Sequence, residues 1–127
     1  QLSHSTRTRL DEVVPQVGTC TDNPVDLGML STFNPQLYVD TIEALGQDEG
    51  VDMLLITRGS WKSDYMEMVL AVLGKVEKPI VFVTTPVRKR VMEEPLPMKG
   101  VAFYTDGRRA ALVLGKMAAY NRFRSGN

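Results

Sequence analysis

The sequence predicts an α/β domain built on an open parallel sheet, and two observations carry that expectation. Three short apolar runs, Met53–Ile56, Ile80–Val83 and Val101–Tyr104, lack the alternation of a sheet with one wet face. Both faces should therefore be covered, as in parallel strands. The runs are separated by 23 and 17 residues carrying helical periodicity, the spacing of βαβ units rather than hairpins.

Each element has its own signal. Ser5 to Val14 reads as a short helix with Leu10, Val13 and Val14 on one face, stopped by Pro15. Gln16 to Asp22 is polar and irregular, with a brief extended piece expected at Val17. Asn34-Pro35 is a helix start: Asn can cap free N–H groups, and Pro suits the first turn. Tyr38, Ile42 and Leu45 then form one buried stripe, ended by Gly46 or Gly50. Between the first two strands, Ser63 is placed to cap a helix to Val76 with Tyr65, Val69, Val72 and Val76 inward. Between the second and third, Val87 to Glu94 could form a short helix cut off by Pro95 and Pro97. Finally, Asp106 should cap a long helix carrying Ala110, Leu114, Met117 and Ala118 on its inner side.

Composition sets bounds without naming an activity. The 127 residues fit one domain with a sizeable core, at 43% hydrophobic and 24% charged residues. Fifteen basic residues balance fifteen acidic ones, so no net field is expected to draw nucleic acid or anionic lipid. The longest apolar run is six residues, Met68–Leu73, against the roughly 20 needed to span a bilayer. No signal peptide is legible, and the single Cys20 fits a reducing cytoplasm.

In open α/β sheets, ligands sit beyond the carboxyl ends of the strands. Three loops qualify: Thr57–Ser63, Thr84–Pro86 and Thr105–Gly107. The first is the richest. Arg58, Gly59, Ser60, Trp61, Lys62 and Ser63 set a Gly, two hydroxyls among them and two cations just before a helix N-terminus, where N–H groups and the helix dipole favour an anion. Trp61 could stack on a planar ligand or a partner surface. The same Gly and Ser also serve ordinary turning and capping, and no P-loop or GxGxxG pattern accompanies them.

The other chemistry-bearing residues read as structural. His4 is expected at the surface near a helix start, and Cys20 as an inert thiol without a histidine or CxxC partner. One His and one Cys leave no zinc-ligand spacing. Asp48-Glu49 and Glu93-Glu94 read as solvated pairs, and Arg88-Lys89-Arg90 as a solvated face. The methionines are scattered fillers. Asn23 and Asp26 can start and close a turn, a role that competes with direct ligand contact.

Short motifs then fall in a telling order. Leu2-Ser3 with Thr6, Asn23-Pro24-Val25-Asp26-Leu27, Pro35 with Tyr38, Gly50-Val51-Asp52 before a strand, and Lys78-Pro79 entering the next cover Leu2 to about Tyr120. That order resembles the flavodoxin-like ligase domain that follows the phosphohistidine domain in NDP-forming acyl-CoA synthetases, similar to the C-terminal domain of the succinyl-CoA synthetase β subunit. The resemblance implies a three-layer open sheet, with residues 1–22 as lead-in helix and loop and 23–124 as the α/β body. The family's opening strand, glycine-rich loop and helix have no counterpart here, so the domain looks truncated, or takes its missing edge from another copy. The family's phosphorylated histidine belongs to the preceding domain, which makes His4 a bystander.

The resemblance further implies a piece of an acid–thiol ligase, cytoplasmic, with no catalysis or cofactor of its own. The parent would use CoA, ATP/ADP and Mg. Its CoA-binding, phosphohistidine and ATP-grasp domains would be the partners, with a homodimer possible and neither nucleic acid nor membrane expected. The helix after residues 58–63 would point its N-terminus at the phosphohistidine. Departures are visible: Gly59-Ser60 and Thr84-Thr85-Pro86 stand where related ligases often carry Gly-Gly. A regulatory or assembly module of ligase-like origin, as in fusions to protein acetyltransferases, is the alternative; a free-standing small-molecule binder is a third.

Overall fold

The computed structural model describes residues 1–58, 68–69, 71–84 and 101–126. Loop residues 59–63, Thr85 and Pro86, Tyr65, the helix expected over 87–94, and the charged groups 88–90 and 93–94 lie outside the described residues. The chain divides into two compact units: Gln1–Asp52 with Lys62–Lys78, and Met53–Trp61 with Pro79–Asn127.

The second unit holds the sheet. Strands β1 (Leu54–Arg58), β2 (Ile80–Thr84) and β3 (Val101–Tyr104) run parallel in the order β1-β2-β3. Leu54 pairs with Ile80 and Arg58 with Thr84, while Ile80 pairs with Val101 and Val83 with Tyr104. The α/β open parallel sheet is thus the architecture of the chain.

Helix α3 (Gly107–Ser125) packs on this sheet, burying Ala110 and Leu114 against Val81, with Met53, Val83 and Tyr104 around them. On the opposite face Leu54, Ile80 and Phe82 are buried, and Phe82 stacks on Phe103 with ring centroids 5.2 Å apart.

Two expectations about burial are corrected here. Leu55 is 40% exposed, because among the described strands β1 lies at the edge and β2 alone has neighbours on both sides. Met117 is 45% exposed, because the buried contacts of α3 stop at Leu114 and the later turns run on without them. No described helix is long and apolar enough to cross a membrane.

The first unit is helical. Helix α1 (His4–Val13) packs on α2 (Pro35–Gln47), with Leu10 fully buried and Arg9 donating to Gln47 Oε1 (2.8 Å) and Glu43 Oε2 (3.3 Å). The helix starts at His4 rather than Ser5 and is capped by Ser3, whose Oγ accepts the Thr6 N–H. Val14 is buried as expected, whereas Val13 is exposed. Asn34 occupies the cap position of α2, but its side chain makes no capping bond; Pro35 supplies the start through its fixed φ. Gly46 does not end α2 either. It lies inside the helix where a Cβ would come within 2.6 Å of Val76 Cγ2, so glycine permits a close approach there. Residues 68–69 and 71–73 are helical, and Val69, Val72 and Leu73 are buried. The extended piece expected at Val17 occurs instead at Cys20, which bridges antiparallel to Asp26.

The knot of the first unit is Asp48, a residue the sequence suggests is solvated. It is 3% exposed. Its carboxylate is held by the Thr6 hydroxyl and accepts the N–H groups of Ser3 (2.8 Å) and Gly50 (2.7 Å). Lys78 Nζ donates to its backbone carbonyl. The Thr6 hydroxyl, first among these, outweighs the opposing cost of burial and holds the carboxyl at about 2, below its ordinary 3.8.

Candidate functional site

Parallel register brings the strand ends level, so the carboxyl edge of the sheet is set by Arg58, Thr84 and the residues after Tyr104. Arg58 is the last residue of β1 and is half-buried; Thr84, its partner across the ladder, is buried. Residues 59–63 follow Arg58 in the sequence. Of the six residues the sequence singles out there, Arg58 is described; Gly59, Ser60, Trp61, Lys62 and Ser63 lie outside the described residues.

The third candidate loop has a clear geometry. Asp106 Oδ1 accepts from Arg108 N (2.8 Å) and Arg109 N (3.2 Å) at the start of α3. Two of the first-turn donors that could hold an external anion, Arg108 N and Arg109 N, are therefore occupied by the chain's own carboxylate. An anion site on this edge is thus better sought at the loop beginning with Arg58 than at α3.

Asn23 and Asp26 belong to the first unit, and the bonds of Asp26 are those of a turn. Asp26 exchanges both backbone hydrogen bonds with Cys20 at 2.8 Å, and its Oδ1 accepts the Gly28 N–H at 2.8 Å. Gly28 has φ +58°, and a Cβ there would meet the Gly18 carbonyl oxygen at 2.4 Å, so the turn needs glycine. The Asn23–Pro24 peptide is cis. The structural role anticipated for Asp26 is accordingly the one its atoms fulfil.

Comparison with protein-family models, curated proteins and solved structures finds no match to this chain.

His4 is exposed at the first turn of α1, where its carbonyl accepts the Thr8 hydroxyl. Cys20 is exposed, with its backbone engaged in the bridge to Asp26. The residue that sequence reasoning misplaced is Asp48. Its bonding partners Ser3, Thr6, Gly50 and Lys78 are members of three of the short motifs, so those motifs meet at one buried carboxylate. The legible signal was an Asp two residues before a Gly at a helix exit, a pattern that closes an Asx turn.

Proposed function

We propose that this chain is a domain of an NDP-forming acyl-CoA synthetase, an acid–thiol ligase, whose role is to position and stabilise a phosphohistidine or acyl-phosphate intermediate. The observation that carries this is the placement of Arg58. It ends β1 at the carboxyl edge in register with Thr84, where the loop 59–63 begins. A cation at that edge, followed in sequence by Gly59, Ser60 and Ser63, suits a doubly charged phosphoryl group. The chain's part is electrostatic and positional; the transferred histidine, CoA site and nucleotide site belong to other domains of the parent.

The meeting of Ser3, Thr6, Gly50 and Lys78 at Asp48 supports the same assignment by giving the ordered motifs a shared structural task. The direct experiment incubates the parent protein with γ-labelled ATP and looks for acid-labile, base-stable phosphoenzyme. Its formation is expected under the ligase assignment.

The alternative, a non-catalytic assembly module, is favoured by one specific observation. The exposed side of α3 carries Leu112 and Phe123, apolar groups suited to contact with another protein. Under that alternative the parent forms no phosphoenzyme from ATP at all.

A further inference from the structure

The solvent side of α3 is unusual for a helix packed on a sheet. Such a helix normally presents polar residues outward. On the side away from Ala110 and Leu114, α3 instead presents Leu112 (55% exposed), Phe123 (83% exposed) and the small residues Ala111, Gly115 and Ala119. Arg108, Ala111, Leu112, Gly115, Lys116 and Ala119 line a shallow depression of about 430 Å³. Nothing lies within 4 Å of where a Cβ on Gly115 would point, so the depression is open.

Charge narrows the occupant. Between Gly107 and Ser125 the helix carries Arg108, Arg109, Lys116, Arg122 and Arg124 and no acidic residue. A second copy's α3 is a poor fit. Laid antiparallel, it would set Arg108 and Arg109 against Arg122 and Arg124; laid parallel, it would set each cluster against itself. A lipid surface fits less well, since Arg108 and Lys116 share the face of Leu112, whereas membrane-lying helices keep their basic residues on the side opposite their apolar face. A concavity floored by glycine and alanine takes a ridge of side chains from another helix.

We propose that the outward face of α3 docks an acidic amphipathic helix of a partner protein, its apolar ridge in the Ala111–Gly115–Ala119 depression and its carboxylates on Arg108 and Lys116. This rests on α3 alone and does not depend on a phosphohistidine.

The test uses the whole chain and a fluorescein-labelled helical peptide of about five turns, with leucines on one face and flanking glutamates. A control peptide carries lysine in place of each glutamate. By fluorescence anisotropy the glutamate peptide should bind and the lysine peptide should not. Leu112→Asp should weaken binding about tenfold or more. Raising salt from about 0.05 to 0.5 M should weaken it as well. Arg108→Glu with Lys116→Glu should invert the preference toward the lysine peptide.

Gly115→Leu fills the depression while favouring the helix, so it should abolish binding with thermal stability at or above wild type. Failure of both peptides to bind, or equal binding of the two, overturns the proposal. So does a dimer in sedimentation velocity that Leu112→Asp disperses, which would make a second copy the occupant. Co-sedimentation with phosphatidylserine vesicles that Leu112→Asp abolishes, without peptide binding, would make it a membrane.

Discussion

The two units of this chain differ in charge as sharply as in structure. The helical first unit carries twelve acidic and five basic residues; the sheet-bearing second unit carries three acidic and ten basic. The overall balance of fifteen against fifteen therefore conceals two opposite excesses. The absence of a field, expected from net charge, holds for the chain as a sum and not for the second unit alone. The difference teaches where each kind of information lies. The first unit holds most of the motifs that suggest a family, and three of them meet at Asp48. The second holds the sheet edge, Arg58 and the basic helix α3, the features suited to an anionic or acidic partner.

That contrast can be broken at the core of either unit. Phe82→Ala removes a side chain 1% exposed from the central strand and should cost about 4 kcal/mol, read as a lower urea midpoint with unchanged slope. Asp48→Ala, in the first unit, leaves the Ser3 and Gly50 N–H groups without their acceptor and should cost about 3 kcal/mol. An Asp48→Ala protein as stable as wild type would mean that the carboxylate is not the tie between α1 and the exit of α2.

The same residue gives a pH dependence of known sign. Its folded pKa, about 2, lies below the ordinary 3.8, so its contribution is fully present above about pH 4 and is lost as pH falls toward 2. Acid titration of stability should show a decline in that window, and Asp48→Asn should flatten it. A smaller effect is expected at the second unit's helix: Asp106→Ala removes the cap of α3 and should cost about 1 kcal/mol by urea denaturation.

Much of the fold was legible because it rests on local pattern. The three apolar runs are the three strands, within one or two residues at their ends, and Asp106 caps the last helix as its position suggests. Burial at the margins was not legible, since it depends on neighbours distant in sequence. Leu55 is apolar inside a strand, yet an edge position exposes it. Met117 keeps the helical spacing of Ala110 and Leu114 but lies beyond their buried contacts.

Asp48 is the opposite case. A carboxylate beside a glutamate at a helix end reads as solvated, and only the arrival of Ser3 and Thr6 from some 45 residues away makes its burial tolerable. At the candidate site, Arg58 was legible as the residue entering a βα loop, whereas its register with Thr84 required the ladder itself.

The claim that the working edge belongs to the second unit is tested most directly by phosphoenzyme formation in the parent protein. Ser60→Asp places a negative charge at the loop after β1, and Asp26→Ala disturbs a turn of the first unit. Labelled from ATP at matched protein concentration, Ser60→Asp should lower acid-labile phosphoenzyme about tenfold or more, as loss of electrostatic stabilisation implies. Asp26→Ala, once shown to be folded, should leave the level near wild type. Equal phosphoenzyme in Ser60→Asp and wild type would contradict the account.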